Sequence, residues 1–327
     1  MNNSAGESKG EPAAAHTGPS IEDYFPSHPN PPRLRIRNFP PPPPEAARPE
    51  PVDLDAALEP VVEVLSGRHL AVLTGAGIST DSGIPDYRSP GAAPRSPMTI
   101  QQFMADERWR RHWWARNQVG WHAPRSAHPN KGHLALVEME RHGIVTGVIT
   151  QNIDRLHARA GTSRLVELHG RHDRVRCADC GTFFSREEVG HLLDQLNPGW
   201  VDRHIGDVET APDADAVLTE TESFRVAPCP VCGGILRADV VFFGDSVPRE
   251  KVAAATQLVD DSAALLVAGS SLAVASAMRF VRQAHREGKP IVVINRGETR
   301  ADHLAATAVH VSTSRAIPWL AARLPRP

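Results

Sequence analysis

The sequence predicts an α/β fold built on a doubly wound parallel sheet, and three observations predict it. Short continuous apolar runs recur along the chain: "HLAVLTGAG", "GIVTGVIT", "LVEL", "VVFFG", "ALLVAGSS" and "PIVVIN". A strand buried on both faces reads as such a run, not as an alternating one. Amphipathic stretches separate the runs, among them "LDAALEPVVEVLSG" with Gly67 as its stop, "KGHLALVEMERHG" and "AMRFVRQAHREGK", which puts helices over both faces of the sheet. The runs end in glycines, small hydroxyl residues and amides. In a doubly wound sheet, ligands sit beyond the carboxyl ends of the strands.

A chain of 327 residues has room for one large α/β domain plus a smaller one. No run of 18 apolar residues suggests a membrane span. The formal net charge of −2 gives no global basic field for nucleic acid, and the local cluster Arg108 to His112 reads as a solvated helix face. The first fifty residues hold 12 of the 29 prolines, including Pro40 to Pro44. With almost no periodic apolar pattern, residues 1–51 are expected to form a disordered or polyproline-like tail. The N-terminus has no apolar segment after a basic start, so no secretory signal is visible, and Glu7, Glu11, Glu22 and Asp23 argue against a transit peptide. A cytoplasmic location is the expectation, and a monomer is compatible with the sequence.

All four cysteines stand in two C-x-x-C hooks, "CADC" at Cys177 to Cys180 and "CPVC" at Cys229 to Cys232. Two disulfides, a redox dithiol and one four-thiolate metal site all fit that pairing. A chain without a secretory signal keeps its thiols reduced, which sets the disulfides aside. In each hook two thiolates can reach one ion from a tight turn, and Gly181 and Gly233 permit that turn's backbone. One structural Zn²⁺ held by Cys177, Cys180, Cys229 and Cys232 is therefore expected. Four protein ligands leave no position open for substrate, so the chemistry belongs elsewhere.

The strand ends carry the remaining candidates. In "LTGAGISTDSGIPDYRS", Gly75, Ala76 and Gly77 let backbone N–H groups approach a pyrophosphate, and Ser79 can add a hydroxyl donor. G-A-G alone also fits an ordinary turn, and it does not complete the G-x-G-x-x-G dehydrogenase pattern. The continuation "SGIPDYR" adds a proline, a carboxylate and an arginine that a simple turn does not need. In "VITQNIDRLH", Asn152 and Asp154 point the same way along an extended segment, and Asp154 is also placed to cap the short helix that ends near Gly161. The Gln151–Asn152 pair suits hydroxyl and amide groups of a ligand. In "LVELHG", His169 ends a strand, where a neutral imidazole is a general base near neutral pH; most of the 16 histidines must be surface or packing residues. "GSSL" at Gly269 to Leu272, and Asn295 with Arg296, suit phosphate or ribose contacts.

Together, "GAGISTDSGIPDYR", "TQNID", "ELHG", the two hooks, "DVVFFGD" and "GSSL" resemble the sirtuin family of NAD-dependent protein deacylases, in family order across residues 52–325. "DYRS", "WARNQVGW", "NPGW" and "DVVFFGDSVPR" are similar to its class II branch. The resemblance implies a Rossmann-like sheet over about residues 52–88, 126–175 and 238–325. It also implies a helical insertion over about 89–125 and a small zinc-binding subdomain over about 176–237. NAD is then a consumed co-substrate. By the same resemblance, Gly75, Ala76, Gly77 and Ser79 bind its phosphates, while Asp86, Tyr87 and Arg88 belong to a loop closing over it. Gln151, Asn152, Ile153 and Asp154 line the nicotinamide and ribose pocket. His169 is the base, with Asn152 and Asp154 beside it as catalytic residues. Gly269, Ser270, Ser271, Asn295, Arg296, Gly297 and Ala316 hold the adenosine half. The strand Val240 to Gly244 pairs with an acyl-lysine protein substrate through Val241, Phe242, Phe243 and Gly244, by adding to a sheet. The implied reaction moves the acyl group from lysine to ADP-ribose and releases nicotinamide.

Some positions depart from the pattern. Relatives that prefer acidic acyl groups carry Tyr-x-x-Arg where this chain has Trp113-Trp114-Ala115-Arg116, which leaves Arg116 either a carboxylate partner or a surface arginine beside a core aromatic pair. Arg237-Ala238 stands where relatives often have Lys-Pro, and Ala273 and Ala275 are small. Three other readings share the same features: protein mono-ADP-ribosyl transfer, a lipoamidase-type deacylase, and a zinc-stabilised NAD-binding module without turnover.

Overall fold

The structure, a computed structural model, describes residues 50–51, 53–86, 97–205, 214–218 and 220–327. The tail expected over residues 1–51 lies outside the described residues except for Glu50 and Pro51, as do Tyr87 and Arg88. In chain order, the first half contains α1 (Leu54–Leu65), β1 (Leu70–Thr74), α2 (Ile100–Ala105), α3 (Glu107–Gly120), α4 (His122–Ser126), α5 (Lys131–Arg141), β2 (Val145–Thr150), α6 (Leu156–Ala160) and β3 (Leu165–Glu167). Then come β4 (Gly170–Cys177), β5 (Phe183–Ser185), α7 (Arg186–Leu196), α8 (Trp200–His204) and β6 (Leu236–Val240). The chain closes with α9 (Arg249–Asp260), β7 (Ala264–Ala268), α10 (Ala275–Arg286), β8 (Ile291–Ile294), β9 (Thr307–Val309) and α11 (Thr313–Ala321).

Six strands make one sheet in the order β3-β2-β1-β7-β8-β9, parallel throughout. The order reverses between β1 and β7, and that switch point opens the crevice where a doubly wound sheet binds its ligand. Both faces are covered, as the continuous apolar runs require. Leu70 and Val72 of β1 enter a core with α1, α5 and α11, while Ala71 and Leu73 enter the opposite core with α9 and α10. Local signals delimit the helices. Asp53 accepts from the Ala56 amide at the start of α1, and Gly67 follows its end at φ +68°. A capping box of Asn130 and His133 starts α5, another of Ser185 and Glu188 starts α7.

The sheet departs from expectation in two places. "VVFFG" is not one of its strands: β6 pairs with β4 in a separate antiparallel sheet, β5-β4-β6. The sixth parallel strand is β9, only three residues long, where the sequence "TAV" has no apolar run to announce it. The helical insertion and the small sheet share a third core. Phe103, Trp114 and Val119 of α2 and α3 pack with Val175, Val189, Trp200, Phe224 and Leu236. Among the described residues no helix is long and apolar enough to cross a membrane.

Candidate functional site

Where β1 and β7 end, their loops meet backbone to backbone. The Gly77 amide donates to Gly269 O at 2.8 Å. Gly269 sits at φ +65°, and a Cβ there would lie 2.3 Å from the Ile78 nitrogen; one on Gly77 would lie 2.9 Å from Gly269 O. Only glycine fits a contact this close, so Gly75 to Gly77 and Gly269 to Ser271 form one polar rim on the crevice.

Behind that rim lies a hydrogen-bond network. Ser79 Oγ donates to Asp154 Oδ2 at 2.7 Å, and Asn152 Nδ2 donates to Ser79 Oγ at 3.1 Å and to Gly75 O at 3.0 Å. Asp154 Oδ1 accepts from the amide of Leu156, the first residue of α6, at 2.9 Å, but the N-cap position expected for it is taken by Arg155, which has no side-chain cap. Ser79 is 1 % exposed and Asp154 4 %. Burial raises the Asp154 pKa, and hydrogen bonds from Leu156, Ser79 and Asn152 partly offset that. The hydroxyl expected to reach a phosphate is thus turned inward, because a buried carboxylate is the stronger acceptor. Next in the chain, Arg155 adopts φ +67° and is held there by ion pairs to Glu167 and Asp173. On the crevice side, Gln151 Nε2 donates to Ser270 Oγ at 2.7 Å and to Thr74 O at 3.2 Å.

His169 stands two residues past the end of β3 and is partly buried. Its Nδ1 lies 3.0 Å from Gln151 O, and its Nε2 lies 2.8 Å from Ser276 Oγ. A carbonyl only accepts, so Nδ1 carries the proton and Nε2 presents a lone pair. Burial pushes the His169 pKa down to about 4; the Gln151 carbonyl opposes that and nearby Lys251 adds to it. The ring is therefore neutral at pH 7, with Nε2 as its basic atom. Ser276, two residues into α10, did not stand out in the sequence. Its only signal there was a small hydroxyl residue where the amphipathic pattern begins.

The other expected residues divide. Asn295 Nδ2 donates to Gly297 O at 2.7 Å beside the crevice, and Ile153 O accepts from the His172 amide at 3.1 Å. Arg296 is drawn away to Asp81 at 3.0 Å and Glu50 at 3.4 Å. Glu50 also accepts from the Ser312 amide at 2.9 Å, so the end of the Pro-rich segment is tied to the domain. Ala316 is 0 % exposed inside α11, where its methyl group packs in a core and offers no surface to a ligand. The strand expected over Val240 to Gly244 ends at Val240. Beyond it, the Val241 amide donates to His169 O at 2.8 Å, Phe243 O accepts from the Ile100 amide at 2.9 Å, and Phe243 makes a single bridge with Thr99. One backbone group of each of those two residues is therefore already paired. Arg116 is spent as well. It contacts Asp215 at 2.7 Å, the Ala216 carbonyl at 2.6 Å and His112 Nε2 at 2.9 Å, so the acidic-acyl reading loses its cation.

The four cysteine sulfurs lie within 4.8 Å of one another, with Cys177 to Cys232 at 3.5 Å and Cys180 to Cys229 at 3.8 Å. A disulfide needs about 2.05 Å. A tetrahedral ion with Zn–S bonds of about 2.3 Å sets sulfur–sulfur edges near 3.8 Å, so the set fits one structural Zn²⁺. Gly181 and Gly233, both at φ +75°, close the two hooks as expected.

A glycine-rimmed crevice at the switch point of a parallel sheet, with a neutral histidine at its edge and a four-cysteine cluster at the far end of the β4–β6 ladder, fits a nucleotide-using α/β enzyme. The chain belongs to the Sir2 family, whose model matches residues 75–276. "NAD-dependent protein deacetylase 1" of Mycobacterium avium (strain 104) is 53% identical over 266 residues, covering 81% of this chain and 94% of that protein. A protein of the same name from Streptomyces coelicolor is 47% identical over 271 residues, covering 82% and 90%. Among solved structures, a Sir2–p53 peptide–NAD+ complex superposes with a TM-score of 0.63 at 28% identity, covering 80% of this chain and 96% of that one. An ADP-ribose complex of a Sir2 homologue gives a TM-score of 0.64 at 27% identity, covering 81% and 95%.

Proposed function

We propose that this protein is an NAD-dependent protein-lysine deacylase that transfers the acyl group to ADP-ribose and releases nicotinamide. The observation that carries the reading is His169: a neutral ring with a fixed tautomer and a basic Nε2, beside the crevice. Family membership and the names of the relatives support it.

In this reading the catalytic domain spans residues 52–325. The backbone at Gly75, Ala76 and Gly77 meets the NAD phosphates, and the Gly269 to Ser271 loop with Asn295 and Gly297 takes the adenosine half. Gln151, Asn152 and Ile153 line the nicotinamide and ribose pocket. Ser79 and Asp154 act one layer behind, holding Asn152 and the α6 turn in place. The acyl oxygen of the substrate lysine attacks the anomeric carbon as nicotinamide leaves. His169 Nε2 then takes the proton from the ribose hydroxyls, which frees the 2′-oxygen to attack the acyl carbon, and water completes the transfer. An acyl-lysine peptide lies against Val241 to Gly244, using the backbone groups that the Ile100 and His169 contacts leave over. The zinc takes no part in these steps.

The test is mass spectrometry of the protein incubated with NAD and a panel of acyl-lysine peptides, beside His169→Ala. Loss of the acyl mass with formation of O-acyl-ADP-ribose, abolished in the variant, is the expected result. Intact peptides together with an ADP-ribose mass on a protein acceptor would replace deacylation with transferase activity. Absence of NAD consumption would leave a binding module.

A further inference from the structure

The hydrogen bond between His169 and Ser276 joins residues 107 positions apart, and nothing in the reaction outlined above uses it. Ser276 occupies the first turn of α10, where a hydroxyl ordinarily serves the helix's own unpaired amides. Here the N-cap, Val274, has no hydrogen-bonding side chain to offer, yet the Ser276 hydroxyl goes to the imidazole 2.8 Å away. Since Nδ1 keeps its hydrogen for Gln151 O, the hydrogen in the Ser276 bond comes from the serine, and the Nε2 lone pair accepts it. The basic atom of the site is therefore covered by the protein itself.

We infer that Ser276 is a positioning residue: in the ligand-free site it holds the His169 Nε2 lone pair, and it gives that place up to a ribose hydroxyl when NAD enters. The inference rests on the reading of His169 as the base that contacts the ribose. Two hydrogen bonds, one at each ring nitrogen, fix the ring before substrate arrives. The incoming hydroxyl exchanges one of them for its own. The cap therefore opposes nucleotide binding by the worth of one hydrogen bond, while the bound state, in which the ribose has replaced the serine, is the same with or without it.

Ser276→Ala removes the cap with no change in backbone. Titration calorimetry with ADP-ribose, which keeps both ribose hydroxyls and cannot react, reads the effect directly. The alanine variant is expected to bind about two- to tenfold more tightly than the unmodified protein, the range set by one net hydrogen bond. Its KM for NAD falls by a similar factor while kcat holds. Ser276→Thr, which keeps a hydroxyl, is expected to return the affinity to its starting value. In a His169→Ala background, the serine substitution is expected to have no effect. Unchanged or weaker binding by Ser276→Ala would overturn the inference, and so would a gain that persists without His169. Full turnover by His169→Ala would overturn the base assignment instead, so the two failures are told apart.

Discussion

Ser79 and Asp154, 75 positions apart in the chain, share a 2.7 Å hydrogen bond beneath the nucleotide crevice, with the serine donating. Removing that donor in Ser79→Ala leaves the buried carboxylate with less to offset its burial. A stability loss of about 1–3 kcal/mol is expected, with weaker NAD binding because Asn152 also loses its acceptor. Thermal unfolding and calorimetry check both, and a variant as stable as the parent would show the network to be dispensable.

Gly269→Ala puts a Cβ 2.3 Å from the Ile78 nitrogen at a residue with φ +65°. Backbone cannot give way as a side chain can, so the two loops must separate. Loss of NAD binding is expected to exceed the loss of fold. A folded variant with normal affinity would mean that the rim does not touch the cofactor.

Cys177 and Cys229 are the buried members of the thiolate set. Cys177→Ser or Cys229→Ser is expected to lower bound zinc from one per chain to none and to cut soluble yield, since a structural site contributes folding free energy. Elemental analysis and near-UV circular dichroism read the two effects. Native packing in fully metal-free protein would refute the structural role.

For Arg116→Met the expected result is a loss of about 1–3 kcal/mol, because Asp215 and His112 lose a partner in a mostly buried cluster. The ratio of acetyl to succinyl turnover should stay the same. A selective drop in succinyl turnover would return Arg116 to the acyl site.

Four histidines, His112, His133, His169 and His172, are pushed down to about 4, chiefly by burial. The unfolded chain protonates them near 6.5, so between 6.5 and about 4 it binds protons that the fold does not. Stability is full above pH 6.5 and drains as the pH falls toward 4, at about 1.4 kcal/mol per unit for each such group. His133→Gln is expected to flatten the acid limb of a melting-temperature profile. On account of His169, turnover is expected to stay level from pH 8 to pH 6, and an inflection near pH 6.5 would contradict a ring held neutral with its pKa down near 4.

Much of this was legible because it is local. The five residues of β1 announce a strand buried on both faces, Gly67 marks the end of α1, and two C-x-x-C hooks with trailing glycines name their own geometry. What stayed hidden depends on where distant side chains turn. Ser79 was legible as a polar residue after a strand, but not its choice of Asp154 over a phosphate. Two of the partners of Arg116, Ala216 and Asp215, lie about 100 positions away. Ser276 looked like a small residue in an amphipathic helix, and Ala316 gave no sign of pointing into the core. β9 is too short to show a period, and "VVFFG" has the composition of a central strand without its neighbours.

The antiparallel ladder of β4 and β6 pairs Gly170 with Val240 at one end and Cys177 with Leu236 at the other. One end touches His169 through its chain neighbour Gly170 and the Val241 amide, and the other is tied by two of the metal-binding thiols' own loops. Across eight residues, roughly 25 Å at the rise of a strand, the ladder works as a splint between the imidazole proposed as the base and the four-cysteine cluster. A shortage of zinc during synthesis would thus reduce the number of working active sites and leave the chemistry of those that form unaltered.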